Sequence, residues 1–256
     1  MMWLADARRR HITIDNLQQA YPNSDVHWIR NTARAAYANL GVVLSEIVWL
    51  RSASAADILS RIELPGIDVL AERMANRQPS ILLSGHYGNW ELLAIAGALA
   101  AGAPFSIVVH PQHNARVNTF ISAIRTRFGN VLIPMGSAAR HIIATLESGG
   151  TVAFLADQYA DPRLHRSVPF FGRETPTYEA PAQLALKYQL PLFTAFANRM
   201  ADGRYHAPVT VADTSDLSYT SEDVLRCTQR HVAMLETAIR ANPSMWSWQH
   251  RRWRTP

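Results

Sequence analysis

The sequence predicts an α/β fold: a mixed, largely parallel central sheet flanked by helices, with a helical N-terminal extension. Three observations carry this prediction. From residue 80 onward, apolar runs of strand length alternate with segments of helix length. Glycine and proline punctuate the junctions, as at Gly102 with Pro104 and at Gly129. Residues 1–60, by contrast, read as helical throughout. A βαβ series of this kind implies parallel pairing with helices on the sheet faces.

The elements follow in order. Pro22-Asn23-Ser24 makes a turn and supplies a cap for a helix from about Asp25 to Leu50. A shorter helix is expected over Ala55–Glu63, stopped by Pro65-Gly66, and another over Ile67–Asn76. Ser80–Leu83 is a short buried strand, Trp90–Ala101 a helix, Phe105–Val109 a strand and Ala115–Phe128 a helix. Val131–Pro134, a helix over Ala138–Ser148 and a strand over Thr151–Ala156 continue the alternation. Asp157–Pro176 reads as a long polar loop, followed by a helix over Glu179–Tyr188. Strands over Leu192–Ala197 and Tyr205–Val211 and a long helix over Glu222–Ala241 precede a Trp-rich tail. With no repeat and no low-complexity segment, residues 1–256 are expected to form one domain, with 1–76 a helical extension packed on the 80–256 core.

Composition narrows the classes. Of 256 residues, 48% are apolar and 18% charged, which suits a globular chain with a substantial core. Lys+Arg number 25 against 20 Asp+Glu, and Lys187 is the only lysine. A basic surface favours an anionic partner, although arginine richness can also be a codon-usage effect. Cys227 stands alone, which excludes an intramolecular disulfide and a Cys-based zinc site. Met1-Met2-Trp3-Leu4 followed by Arg8-Arg9-Arg10 is too polar for a signal peptide. No stretch offers about eighteen uninterrupted apolar residues, so no transmembrane helix is expected. The best attempt, Ala33–Leu50, is interrupted by Arg34, Asn39, Ser45 and Glu46.

One constellation carries chemistry. Ser84-Gly85-His86-Tyr87-Gly88-Asn89-Trp90-Glu91 sits where a strand gives way to a helix, the edge at which open α/β sheets bind ligands. Histidine takes up a proton near neutral pH. A carboxylate five residues on can fold back to hold the other ring nitrogen, fixing the tautomer and stabilising the imidazolium. His86 and Glu91 are therefore the candidate catalytic pair, with His86 activating an incoming hydroxyl directly. The bland alternative is a histidine cap and a first-turn acid favoured by the helix dipole. Other histidines, among them His110, His113, His141, His165, His206, His231 and His250, are scattered, and HExxH is absent, so neither metal nor cofactor is expected.

The G-H-Y-G-N-W-E block resembles the H-x4-D/E signature of the glycerolipid and lipid A acyltransferases. Its wording is most similar to the bacterial late acyltransferases of lipid A biosynthesis, the lauroyl/myristoyl transferase family. Three further blocks, in order, resemble that family: His110-Pro111-Gln112-His113-Asn114 with Arg125-x-Arg127-Phe128-Gly129; Ala156-Asp157-Gln158 with Val168-Pro169-Phe170-Phe171-Gly172; and Trp246-Ser247-Trp248-Gln249-His250-Arg251-Arg252-Trp253-Arg254. The resemblance implies transfer of a fatty acyl chain from a thioester, on acyl carrier protein or coenzyme A as co-substrate, to a hydroxyl of a membrane phosphoglycolipid. It implies acyl carrier protein and an anionic membrane lipid or glycolipid as partners, no nucleic acid, a monomer, and a place at the cytoplasmic face of the bacterial inner membrane. Relatives commonly begin with a membrane-anchoring segment and resume near Arg8-Arg9-Arg10-His11-Ile12, so the expectation is either that such a segment has been removed from this sequence or that association is peripheral.

The resemblance also singles out substrate-binding candidates. Arg125 and Arg127 are suited to phosphate by the planar guanidinium fork, with Asn114 and Arg116 beside them. As plain sequence they are equally well solvated cations near a helix end. Asp157 ends a strand and either braces an arginine, helps build the acyl pocket or caps a turn. Arg163 and Arg166 lie in the long loop as headgroup contacts. Arg251 and Arg252 are candidates for a substrate phosphate, with Trp246 and Trp248 packed on the core. The stretch Thr177-Tyr178-Glu179-Ala180-Pro181 is bulkier than the small Thr-Gly-Pro-like segment usual in relatives, which leaves room for another glycolipid or a specialised metabolite as acceptor. A non-catalytic membrane- or nucleic-acid-binding module predicts salt-sensitive binding indifferent to His86. A serine hydrolase is disfavoured because no G-x-S-x-G elbow occurs.

Overall fold

The computed structural model describes Trp3 and residues 6–253. The N-terminal helices are α1 (Ala7–Ala20), α2 (Val26–Leu50) and α3 (Ala55–Ser60). Each begins on a side-chain cap: Asp6 accepts from the Arg9 amide, Asp25 from the His27 and Trp28 amides, and Ser54 forms a reciprocal capping box with Asp57. The helix expected over Ala55–Glu63 stops early, because Ile62–Glu63 leaves it to form strand β1 in a small sheet with β9 (Asn198–Arg199) and β10 (Tyr205–His206).

After α4 (Ile67–Ala75) comes the main sheet: β2 (Ser80–Ser84), β3 (Phe105–Val109), β4 (Val131–Pro134), β5 (Thr151–Leu155), β8 (Leu192–Thr194) and β11 (Thr210–Val211), in the order β11-β8-β2-β5-β3-β4. All neighbours are parallel except β11 against β8. The crossover helices are α5 (Trp90–Ala101), α6 (Ala115–Thr126), α7 (Ala138–Glu147) and α8 (Ala180–Lys187); α9 (Ser221–Ala241) follows the last strand. Side chains alternate across the sheet. Ile81 and Leu83 of β2 pack with Ile142 of α7 and Ala182 of α8, whereas Phe105 and Ile107 of β3 pack with Ile95 of α5 and Ile124 of α6.

This order creates a topological switch point. The chain leaves β2 through α5 towards β3, on the far side of β5; it leaves β5 towards β8, on the far side of β2. The two connections part on opposite faces, and a crevice opens between the carboxyl ends of β2 and β5.

Two expectations need correction. The supposed loop 157–176 contains a hairpin, β6 (Ser167–Phe170) with β7 (Arg173–Pro176), turned at Phe171-Gly172. Phe170 and Phe171 are buried against Trp246, Trp248 and Trp253, and that aromatic packing was not readable as strand periodicity. The strand expected over Tyr205–Val211 is split between two sheets, with Pro208, which has no N–H to donate, in the unpaired residues between β10 and β11. A third apolar cluster joins Leu17, Ile29 and Ala33 of the N-terminal helices to Val232, Leu235, Trp246 and Trp248. Among the described residues, no helix is long and apolar enough to cross a membrane.

Candidate active site

His86 and Asp157 each lie two residues beyond a strand end, and the strands are in register, with Ser84 opposite Leu155. The two side chains therefore meet over the crevice. The Asp157 carboxylate accepts from the His86 ring at Nδ1 (2.7 Å), from the His86 backbone N–H (2.8 Å) and from the Trp246 indole N–H (2.8 Å). A carboxylate has only lone pairs to offer, so Nδ1 carries the proton and Nε2 is the nitrogen left to act as a base. Gln158 places its amide nitrogen 3.2 Å from Nε2. Burial pushes the Asp157 carboxyl up; the His86 charge and the three hydrogen bonds more than offset that and hold it at about 2.

The backbone that presents His86 is pinned by the C-terminal tail. The Gly88 N–H donates to Met245 O (2.8 Å) and the Ser247 N–H to His86 O (2.9 Å). Gly88 has φ +56°, and a Cβ there would lie 1.6 Å from Ala197 O, so only glycine fits. Asn89 caps α5 through the Leu92 amide and donates to Glu46 of α2 (2.8 Å).

The expected partnership of Glu91 with His86 is not formed. Glu91 lies in the first turn of α5 and faces α6, where Arg125 grips it through two hydrogen bonds of 2.8 and 2.5 Å. It also accepts from the Trp90 indole N–H (3.1 Å). The pair is almost dry, with side-chain exposures of 5% for Glu91 and 15% for Arg125. Burial opposes the charge on Arg125, but Glu91 more than compensates and raises its pKa. Trp90 stacks edge-on to the imidazole at 4.9 Å.

A cavity of about 740 Å³ opens beside the pair. Its rim is polar: His86, Arg125, His110, His113, Gln158 and Arg9 reach it. Its interior is apolar, between the sheet and α5, lined by Leu82, Leu93, Ala94, Gly97, Phe105 and Ile107. Tyr178, from the segment after the hairpin, closes the other side of the rim.

The remaining candidates are dispersed. Arg127 donates to the carbonyls of Leu50 (3.0 Å) and Ala53, tying α6 to the end of α2 instead of facing the cavity. Asn114 caps α6, accepting from the Arg116 and Val117 amides. Exposed Arg116 lines a separate groove with Arg51, Phe120 and Arg127. Arg163 is exposed and folded onto Asp161. Arg166 grips Glu179, with Nε–Oε1 at 2.9 Å, and donates to Ser221. Arg251 is exposed, and neither it nor Arg252 lines the cavity. Arg252 is 3% exposed and is spent on Pro176 O (2.7 Å) and Thr177 Oγ1 (2.8 Å). Burial pulls its pKa down to about 10, against the attraction of Asp157. Trp246 and Trp248 are buried, at 2% and 0% exposure, while Arg254 lies outside the described residues.

Sequence reasoning placed Asp157 at the right edge without its role, and passed over Gln158 and Trp246 as site residues. The signal that could have found them is the strand-end position of Ala156-Asp157-Gln158, equivalent to Ser84-Gly85-His86 on the neighbouring strand. Among the described residues, no group of three His, Cys, Asp or Glu is disposed to hold a metal ion.

A histidine hydrogen-bonded to a carboxylate at a switch-point crevice, beside an apolar cavity, places a proton-transferring group where open α/β enzymes bind their ligands. The sequence matches the family described as bacterial lipid A biosynthesis acyltransferase over residues 1–255, and the chain belongs to that family. It is accordingly an acyltransferase, acting in lipid A biosynthesis. No curated protein matches the chain.

Proposed function

We propose that the protein moves a fatty acyl chain from a thioester, carried by acyl carrier protein, to a hydroxyl of a phosphoglycolipid such as a lipid A precursor. The reaction takes place at the cytoplasmic face of the inner membrane. His86 Nε2 removes the proton of the acceptor hydroxyl. The oxygen attacks the thioester carbonyl, the new C–O bond forms, and the C–S bond breaks. The imidazolium returns its proton to the departing thiolate. Asp157 holds the Nδ1–H, keeping Nε2 available, and stabilises the ring while it is charged. The Gln158 amide marks the direction from which the acceptor oxygen approaches Nε2.

The observation that carries this reading is the His86–Asp157 pair set at the mouth of the apolar cavity. The acyl chain enters the interior under α5. Arg9, His110 and His113 on the rim suit an anionic headgroup.

The test is acyl transfer to membranes with wild-type protein and His86→Ala, the product read by mass spectrometry. Positioned base catalysis is worth roughly 10²- to 10⁴-fold. Loss of at least 10²-fold in a folded variant supports the reading, and near-normal turnover refutes it.

A further inference from the structure

The interior of the cavity runs down between α5 and the sheet, and two independent routes place Gly97 and Phe105 deep in it. Along α5, Gly97 lies seven residues beyond Trp90, about 10 Å down the helix axis from the histidine end. Along β3, Phe105 is the first residue of a parallel strand whose last residue, Val109, is on the functional edge, about 13 Å away. The register agrees, since Phe105 pairs with Thr151, the first residue of β5, and not with its carboxyl end. Gly97 and Phe105 face each other across this depth. A Cβ at position 97 would lie 3.1 Å from Phe105 Cε2, tighter than ordinary contact.

A glycine inside a helix is unfavourable relative to alanine, so its presence at the centre of α5 calls for a local reason. The Phe105 ring supplies one half of it by lying against the glycine. The cavity supplies the other half: both residues line it, so a side chain at position 97 would press on the ring within the same apolar interior. Phe105 is 1% exposed and shares an apolar cluster with Ile107 and Leu93, so moving the ring disturbs a close-packed core.

We propose that Gly97 and Phe105 set the length of the acyl chain that the enzyme transfers. The proposal rests on the acyl chain occupying this cavity, as in the reading above. A chain that ends short of the pair leaves apolar wall unfilled; one that is longer must displace a ring held by close packing. A single methylene of mismatch in such a pocket is worth roughly 10- to 200-fold in discrimination.

The experiment offers a mixture of saturated acyl thioesters of stepwise increasing length to membranes and reads the mass distribution of the product. It compares wild type, Gly97→Ala, Gly97→Leu and Phe105→Leu, each checked for folding by circular dichroism. Gly97→Leu is expected to lower the ratio of longer to shorter chains about 10-fold or more, while the shorter chains are still transferred. Gly97→Ala moves the ratio the same way by less. Phe105→Leu moves it towards longer chains. A purely structural role would depress all lengths equally. If the folded variants keep the wild-type distribution, the pair does not measure the chain and the proposal fails, while the acyl-transfer reading stands. A wild type that transfers no chain of any length overturns that reading, and this proposal with it.

Discussion

The ring of His86 lies 2.7 Å from the carboxylate of Asp157, a residue 71 positions away in sequence. The relationship is a product of sheet order, since β2 and β5 are neighbours only because the chain returns to the gap beside β2 after visiting β3 and β4. Asp157→Asn offers an amide that can donate to Nδ1 and so favours the wrong tautomer. Turnover is expected to fall on the order of 10³-fold or more, with substrate binding little changed. Steady-state kinetics that show an unchanged kcat would remove Asp157 from the mechanism.

Glu91 answers to a different partner. Removing it leaves the Arg125 guanidinium in a nearly dry site with no counter-charge, which costs about 3–5 kcal/mol when a buried pair is broken. Glu91→Leu should therefore lose about that much stability in urea denaturation. Glu91→Leu combined with Arg125→Met should recover most of it, because no buried charge remains. A double variant as unstable as the single one would mean that the pair is not coupled in this way.

The acid stability of the protein is expected to show two separate windows. His231 of α9 is 2% exposed, and burial pushes its pKa down to about 4. The unfolded chain takes up this proton near pH 6.5 and the folded one only near 4, so stability is full above 6.5 and declines as pH falls to 4. The loss is about 3 kcal/mol. His231→Leu should abolish that slope while leaving stability at pH 7 undiminished, because it also removes a buried Nε2 that has no hydrogen-bond partner. Denaturation midpoints at half-unit pH steps would decide it.

Asp157 governs the lower window. Its pKa of about 2 lies below the unfolded value near 3.9, so its stabilisation is present above pH 4 and is lost as pH falls through 2. Trp246→Phe deletes one of its donors and should bring the onset of that loss to higher pH. An onset at the same pH as in wild type would show that the indole N–H does not stabilise the carboxylate.

Much of this architecture was legible in the sequence, for identifiable reasons. Trp90–Ala101 and Phe105–Val109 came out with their observed bounds because Gly102 and Pro104 separate a long apolar helix from a short apolar strand. The β6–β7 hairpin did not, since Pro169 and two adjacent phenylalanines break the alternation by which a strand is recognised. His86 was legible because glycines flank it at a strand end. Its partner was not, because a carboxylate five residues away is always visible on paper, whereas one on a neighbouring strand becomes a neighbour only through register. The surroundings of the arginines were not legible for a related reason: a resemblance carries a residue type and a position without saying that Arg127 and Arg252 donate to backbone carbonyls.

The Trp-rich tail has a consequence for how variants of this enzyme will behave. Residues 245–250 clasp the His86 loop, donate to Asp157 through Trp246 and accept the Tyr159 amide at His250, while Asn16 of α1 holds the carbonyls of Trp248 and His250 from below. Asn16 and Trp246 support the imidazole through this clasp and do not line the cavity. Screens scored by turnover alone would therefore credit Trp246 and Asn16 with chemistry, when what each supplies is alignment.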